Sequence, residues 1–343
     1  MDVAFCIPGS LEGPRAAGGW IVDIANKLVR DGFEVEIRGI PYTPLGRKAS
    51  IYDVLDPRVT YKEAWVHDLS DFDLAYFEYT PISRLFFRGN VARIAGIHAM
   101  NYVSKFPFSR YFGIVSNVMG ALHKLFGKWE LLTYDAVHSI TKAFNSPHPN
   151  TYYIPNFVDT KMYNPQRAEK TEKFTVLVTT AHTPRKGWDV VISVAERLPE
   201  EILIVATGKT EHPNVKGLGF LSDDDLADWY ARAHVLLNPS REDVDSVSIK
   251  KACASGTPVI TTSIPTHKAM FNDEKGAILY ANGVEETLRC ILELYKEWKS
   301  NRKKYFERCK KARKIVEDHD FKVLYPKFKE MLYEVAEKYF RKR

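Results

Sequence analysis

Cysteine is scarce in this 343-residue chain: four occur, Cys6, Cys253, Cys290 and Cys309. They form no CxxC pair and no ladder with histidine, so no zinc site is indicated and a reduced cytosolic protein is expected. Cys6 and Cys253 sit in apolar runs, where a cysteine is expected to serve as core. Long hydrophobic runs are missing too: nothing approaches about 18 consecutive apolar residues, so no transmembrane helix is expected. The opening MDVAFCIPGSLEG lacks the basic region and the apolar length of a signal peptide, and Val3–Ile7 reads instead as a buried strand. No internal repeat, low-complexity tract or GxGxxG fingerprint occurs. Nor does one sign of charge dominate: 49 Lys plus Arg against 43 Asp plus Glu leave a net +6, and no nucleic-acid partner is expected.

What is present is the composition of a soluble globular protein, 45% hydrophobic and 27% charged. At about 150 residues per domain the length suits two domains. Short apolar runs alternate with helical patterns throughout. In the first half Val3–Ile7, Val35–Ile40, Leu74–Phe77, Val91–Ile97 and Ala136–Ile140 read as strands. Ile21, Ile24, Ala25, Leu28 and Val29 recur at helical spacing, with Gly32 as a stop. A second series begins at Phe174. Its strands are Thr175–Val178, Ile202–Ala206, Val235–Leu237, Val259–Thr262 and Ala277–Leu279, and its helices are Val190–Leu198, Asp223–Ala233 and Ser248–Ala254. Ile154–Lys173, with two prolines and a charged run, suits a linker. Three helices close the chain, about Glu285–Trp298, Arg302–Val316 and Pro326–Arg343, the last with Pro326 at its first helical position. This alternation predicts an α/β protein of two doubly wound, Rossmann-like domains. Lys296–Lys314 holds ten basic and two acidic residues. It reads as a solvated helix face or as a patch for phosphate-rich partners or anionic lipid.

Doubly wound sheets bind ligands beyond the carboxyl ends of their strands, so the loops there carry the chemistry. After the first strand, a Gly-rich loop ends in Gly18-Gly19 at a helix start, where backbone N–H groups favour an anion. After Thr175–Val178, Arg185 and Lys186 precede Gly187 and a helix; a planar fork beside a point charge suits a diphosphate. After Val235–Leu237, Ser246, Val247 and Ser248 would offer N–H groups at a helix N-terminus. Asp243 lies just before them as an acceptor for sugar hydroxyls. Asp243-Val244-Asp245 also spells DxD, but three residues are weak grounds for a metal, and none is expected. His98 follows strand Val91–Ile97 at a strand end that faces the site.

With these residues the chain resembles the GT-B glycosyltransferases of the retaining, GT4-like group (glycosyltransferase group 1), over nearly its whole length. Gly18-Gly19 looks like that group's Gly-Gly loop, and Arg185-Lys186-Gly187 like its diphosphate clamp. Ala252–Ile260 is the most specific match. The resemblance implies two Rossmann-like domains facing across a cleft. Residues 1–155 would be the acceptor-side domain, joined in space by the helix 326–343, and residues 156–325 the nucleotide-sugar domain. It implies a retaining hexosyl transfer from a nucleotide-diphospho-sugar, UDP- or GDP-linked, without a cofactor. His98 would sit by the donor sugar and leaving phosphate, and Asp243 on the sugar hydroxyls. One departure stands out: the group's second glutamate, which binds the nucleotide ribose, aligns with Lys251, and lysine cannot accept a hydrogen bond. A degenerate sugar-nucleotide-binding scaffold and a nucleotide-sugar epimerase are the alternatives. The acceptor is expected to be a hydroxyl, on a glycan or lipid-linked. Tyr102, Phe106, Phe108, Tyr111, Phe112, Phe126 and Trp129, interleaved with Lys105, Arg110, Lys124 and Lys128, suggest a peripheral contact with the inner face of a membrane; a core helix with a basic edge is the plainer reading.

Overall fold

A computed structural model describes residues 1–9, 19–41, 55–99, 102, 110, 113–271 and 276–342. The chain divides into two compact units. One comprises Met1–Ile140, Phe144–Ile154 and Phe328–Arg343; the other comprises Thr141–Ala143 and Pro155–Lys327.

The strands of the first unit are β1 (Asp2–Ile7), β2 (Glu34–Gly39), β3 (Thr60–Glu63), β4 (His67–Asp68), β5 (Leu74–Glu78), β6 (Phe87–Arg88), β7 (Ala92–Ile97), β8 (Ala136–Ser139) and β9 (Thr151–Tyr153). Its helices are α1 (Gly19–Arg30) and α2 (Ile114–Leu131). Seven strands pair in parallel in the order β3-β2-β1-β5-β7-β8-β9, and β4 pairs with β6. The central strands are buried on both faces, as helix-covered parallel strands must be, which is why they read as unbroken apolar runs. Alternate residues supply opposite cores. Ala4, Cys6, Ala75, Phe77, Ala95 and Ile97 share one cluster, while Phe5 and Tyr76 pack against Trp20 of α1 on the other face.

The second unit holds β10 (Phe174–Val178), β11 (Ile202–Ala206), β12 (Val215–Gly217), β13 (Val235–Asn238), β14 (Val259–Thr261) and β15 (Ile278–Tyr280). All are parallel, in the order β12-β11-β10-β13-β14-β15. Its helices are α3 (Trp188–Ala195), α4 (Asp223–Arg232), α5 (Val247–Ala254), α6 (Pro265–Met270), α7 (Val284–Ser300) and α8 (Arg302–Ile315). Phe174, Val176 and Val178 face the core under α3 and α7, whereas Leu177 faces the one under α4 and α5. Helices therefore cover both faces, and the unit is doubly wound.

α9 (Phe321–Arg341) closes the chain. Pro326 lies inside it, not at its first position as expected. The helix starts five residues earlier because Phe321 and Tyr325 stack one turn apart, at 4.7 Å, and Phe321 donates its N–H to the Val158 carbonyl. A proline at the sixth position removes one backbone bond without breaking a helix packed on both sides of it. Cys6 and Cys253 are buried, and all four cysteines are free thiols.

Most of the basic stretch is exposed, as a solvated helix face is, while some of its cations make structural contacts. Arg308 pairs with Glu293 and Glu297 at 2.7 Å, Lys304 with Glu297 at 2.7 Å, and Arg313 donates to the Tyr163, Thr160 and Ala254 carbonyls.

Candidate functional site

Strand order reverses between β10 and β13, so a crevice opens beyond their carboxyl ends. The loop after β10 makes a short 3-10 turn, Pro184–Lys186, closed by Gly187 in the left-handed region at φ 75°. A Cβ on Gly187 would run into the Pro239 carbonyl, so only glycine lets this loop meet the one after β13. Arg241 ties the same two loops. Its N–H donates to the Arg185 carbonyl at 3.0 Å, and its guanidinium makes two 2.6 Å bonds to Asp189 and a third to the Pro184 carbonyl.

Lys186 is thereby held 2.9 Å from Asp243 Oδ2 and 3.4 Å from the Glu242 carbonyl. Burial alone would raise the Asp243 carboxyl. His267, whose Nε2 lies 4.0 Å away, and Lys186 outweigh it and hold the group below the usual carboxylate range. Asp243 is thus an anion at neutral pH, able to accept from a hydroxyl.

α5 begins at Val247, and its N-cap residue Ser246 gives no side-chain cap. The Ser246 hydroxyl instead accepts from Asn238 Nδ2 at 2.9 Å and lies 2.9 Å from Ser248 Oγ, which Asn238 also reaches at 3.1 Å. The first turn of α5, with the N–H groups of Val247 and Ser248, therefore has no side-chain cap from Ser246. Asn238, at the end of β13, is fully buried and was not singled out from sequence; in an apolar strand a terminal Asn looks like ordinary turn chemistry.

The DxD pair does not act as a pair. Asp245 is buried against Lys250, with oxygens 2.5 and 2.6 Å from Nζ, and accepts the Asn156 N–H at 2.6 Å; Lys250 also donates to the Asn156 carbonyl at 2.6 Å. Asp243 is engaged with Lys186. Among the described residues no group of three His, Cys, Asp or Glu side chains is arranged to hold a metal. Lys251, next to Lys250 on α5, sets its ammonium over the Tyr163 ring at 4.7 Å. Missed from sequence as well is His182, stacked on Trp188 at 3.7 Å in the loop after β10, with its buried Nε2 unpartnered among the described residues.

In the first unit strand order reverses between β1 and β5. Gly18 lies outside the described residues; Gly19 is the first residue of α1. Its neighbour Trp20 stacks on His98 at 4.2 Å, so the start of α1 meets the end of β7. His98 Nε2 is 2.8 Å from Tyr76 Oη, which lies 2.5 Å from His138 Nδ1, and His138 Nε2 is 2.8 Å from the Ile154 carbonyl. A Cβ on Gly96 would collide with the Tyr76 hydroxyl. Phe328 of α9 covers the group, its ring 5.8 Å from Tyr76 and 5.7 Å from His138. Burial lowers His138 to about 4; burial, then the adjacent His138, holds His98 well below its ordinary value. Both imidazoles are neutral at pH 7.

Glu78, the last residue of β5, ends at this reversal point, and burial lifts its carboxyl to about 7. Just beyond it Ile82 takes φ 64°, a strained choice for a β-branched residue, with its N–H held by Glu130 at 2.8 Å. Neither residue gave a sequence signal beyond its place after an apolar run.

Of the aromatic segment, Lys105, Phe106, Phe108, Tyr111 and Phe112 lie outside the described residues, and Tyr102 is buried. α2 turns an apolar stripe to solvent: Ile114, Val118, Leu125, Phe126, Trp129 and, just past its end, Leu132 are exposed, Trp129 by 66%. Lys124 and Lys128 flank the stripe and rim a cleft with Asn145 and Ser146. No described helix is long and apolar enough to cross a membrane.

Residues 173–297, within the second unit, match the family model described as Glycosyl transferases group 1. An alignment of 179 positions, covering 44% of this chain, is 27% identical to α-galactosylglucosyldiacylglycerol synthase of Streptococcus pneumoniae. The chain spans about half that relative's length (47%). Among solved structures, HepE of Anabaena in complex with UDP-glucose superposes with a TM-score of 0.72 at 16% identity, over 97% of this chain and all (100%) of that one. Sucrose-phosphate synthase from Thermosynechococcus elongatus gives 0.70 at 13%, over 98% and 99%. A glycosyltransferase from Rickettsia africae gives 0.72 at 13%, over 97% and 98%. The chain has the GT-B fold of these enzymes.

Proposed function

We propose that the chain, with its match to the group 1 model, is a retaining glycosyltransferase that moves a hexosyl group from a UDP- or GDP-linked donor to a lipid-linked hydroxyl. The observation that carries the reading is the convergence, at the reversal point of the second sheet, of Lys186, Asp243 and the uncapped start of α5. Arg185, Lys186 and the N–H groups at Val247 and Ser248 take the diphosphate, and Asp243 accepts from sugar hydroxyls. Gly19 and His98 keep the donor-side roles that the resemblance implies. As the bond from the anomeric carbon to the phosphate oxygen breaks, its electron pair leaves with the diphosphate. The acceptor oxygen attacks from the same face and its proton passes to the leaving phosphate. Fixed cations and N–H dipoles aimed at that growing charge supply the main stabilisation. UDP is favoured over GDP because HepE was solved with UDP-glucose. Lys251 does not serve the ribose in this reading, since it is drawn to Tyr163.

A lipid-linked acceptor is favoured over a soluble glycan by the exposed face of α2 with Lys124 and Lys128, which suits an anionic membrane surface. The product named for the pneumococcal relative is a glycolipid. The chain then works at the inner membrane face as a peripheral protein. A degenerate scaffold rests on Lys251 alone, and turnover separates the two. UDP or GDP release from a donor panel, with diacylglycerol lipids as acceptors, is expected for the wild type. Arg185→Ala should lose roughly 1.5–3 kcal/mol of donor binding, about a 10- to 150-fold weaker affinity. An unchanged Arg185→Ala enzyme sinks the assignment.

A further inference from the structure

Histidine hydrogen bonding has a direction, and in the first unit the direction can be followed atom by atom. The Ile154 carbonyl can only accept, so His138 Nε2 carries a hydrogen. His138 is buried and neutral, so its Nδ1 has a lone pair and accepts from the Tyr76 hydroxyl at 2.5 Å. The Tyr76 oxygen, having donated its hydrogen, accepts from His98 Nε2 at 2.8 Å. His98 is then the Nε2–H form, and its Nδ1 makes no hydrogen bond among the described residues. Trp20 stacked on one ring face and the glycine at position 96 leave the chain little freedom to rearrange.

We infer that Tyr76 and His138 are positioning residues that fix the His98 tautomer, so that Nδ1 of His98 is an acceptor reserved for a sugar hydroxyl. The inference rests on the proposed placement of His98 at the transferred sugar and sharpens it. A neutral imidazole with only a lone pair to offer recognises a hydroxyl, which can donate. It does not recognise a phosphate oxygen, which can only accept. The leaving-phosphate part of the expectation for His98 is therefore dropped. The arrangement follows a general logic in which the second ring nitrogen's bond decides what the first can do. Glu78 lies two residues along β5 from Tyr76, on the same side of the strand.

Long-range 15N–1H histidine spectra of the labelled full-length protein test the tautomers directly. Hydrogens on Nε2 of both His98 and His138 are expected. Tyr76→Phe should release the His98 tautomer and reduce kcat/KM about tenfold for whichever of UDP-glucose, UDP-galactose and UDP-N-acetylglucosamine the wild type uses best, with the affinity for UDP unchanged. His138→Gln, whose amide keeps one donor and one acceptor, should retain more activity than His138→Phe. An Nδ1–H form of His98, or a Tyr76→Phe protein with wild-type tautomer and kinetics, overturns the inference. If His98→Ala is impaired while Tyr76→Phe is not, only the positioning role fails. If His98→Ala turns over like the wild type, the placement of His98 at the sugar fails and takes this inference with it.

Discussion

A carboxyl lifted by burial to about 7 holds its proton more tightly in the folded chain than in the unfolded one, and Glu78 is such a group. Its folded value lies above the unfolded one, so it favours the fold fully below about pH 4.5 and progressively less up to about 7. Glu78→Gln should be more stable than the wild type at pH 8 by about 1–3 kcal/mol, the gap closing toward pH 4.5. Urea denaturation at pH 8 and pH 5 checks this, and an equal difference at both would refute it. At this scale the sequence was only partly legible. Arg185, Lys186, Asp243, Ser246 and His98 stand in loops after strands, where polar residues have no packing reason to be. Tyr76, His138, Asn238 and Lys250 do not: inside strands and helices they read as core or as a solvated charge. Lys250 is buried only because Asp245 and the Asn156 carbonyl close on it, and that carbonyl is 94 residues away along the chain.

Secondary elements were legible where they are buried on both faces. Ile202–Ala206 has the predicted bounds, and most central strands differ by one residue at an end. The strands that escaped are edges or stubs such as β3, β9 and β12, which are half-exposed and polar, so no apolar run marks them. α2 inverts the usual rule, turning apolar residues outward. Liposome flotation tests that face. The wild type should float with vesicles rich in anionic lipid, less so at high salt, and a Leu125→Ser/Trp129→Ser variant should stay in the lower fraction. Equal flotation of both proteins, or of neither, removes the membrane reading.

The molecule as a whole carries buried histidines in both units: His123 and His138 in the first, lowered by burial to about 4, and His234 in the second, lowered to about 3. Unfolded histidines protonate near 6.5, so between about pH 6.5 and 4 the unfolded chain binds more protons and stability falls with falling pH. Each group can contribute on the order of a few kcal/mol. Thermal melts should therefore drop steeply from pH 7 to pH 4.5, and a flat profile would show these rings charged or exposed in the fold. The two α/β series were legible from the alternation of short apolar runs and helices. The crevice beyond β10 and β13 was legible in outline, because a reversal of strand order forces loops from two separate strands together. The measurement that bears most directly on the account is a calorimetric titration of the full-length protein with UDP, GDP and ADP, each in EDTA and again with Mg²⁺. The account predicts that UDP binds in EDTA and that Arg185→Ala weakens it, since the cations and the α5 N-terminus supply the positive charge. Binding that appears only with Mg²⁺, or no binding of any of the three, would contradict it.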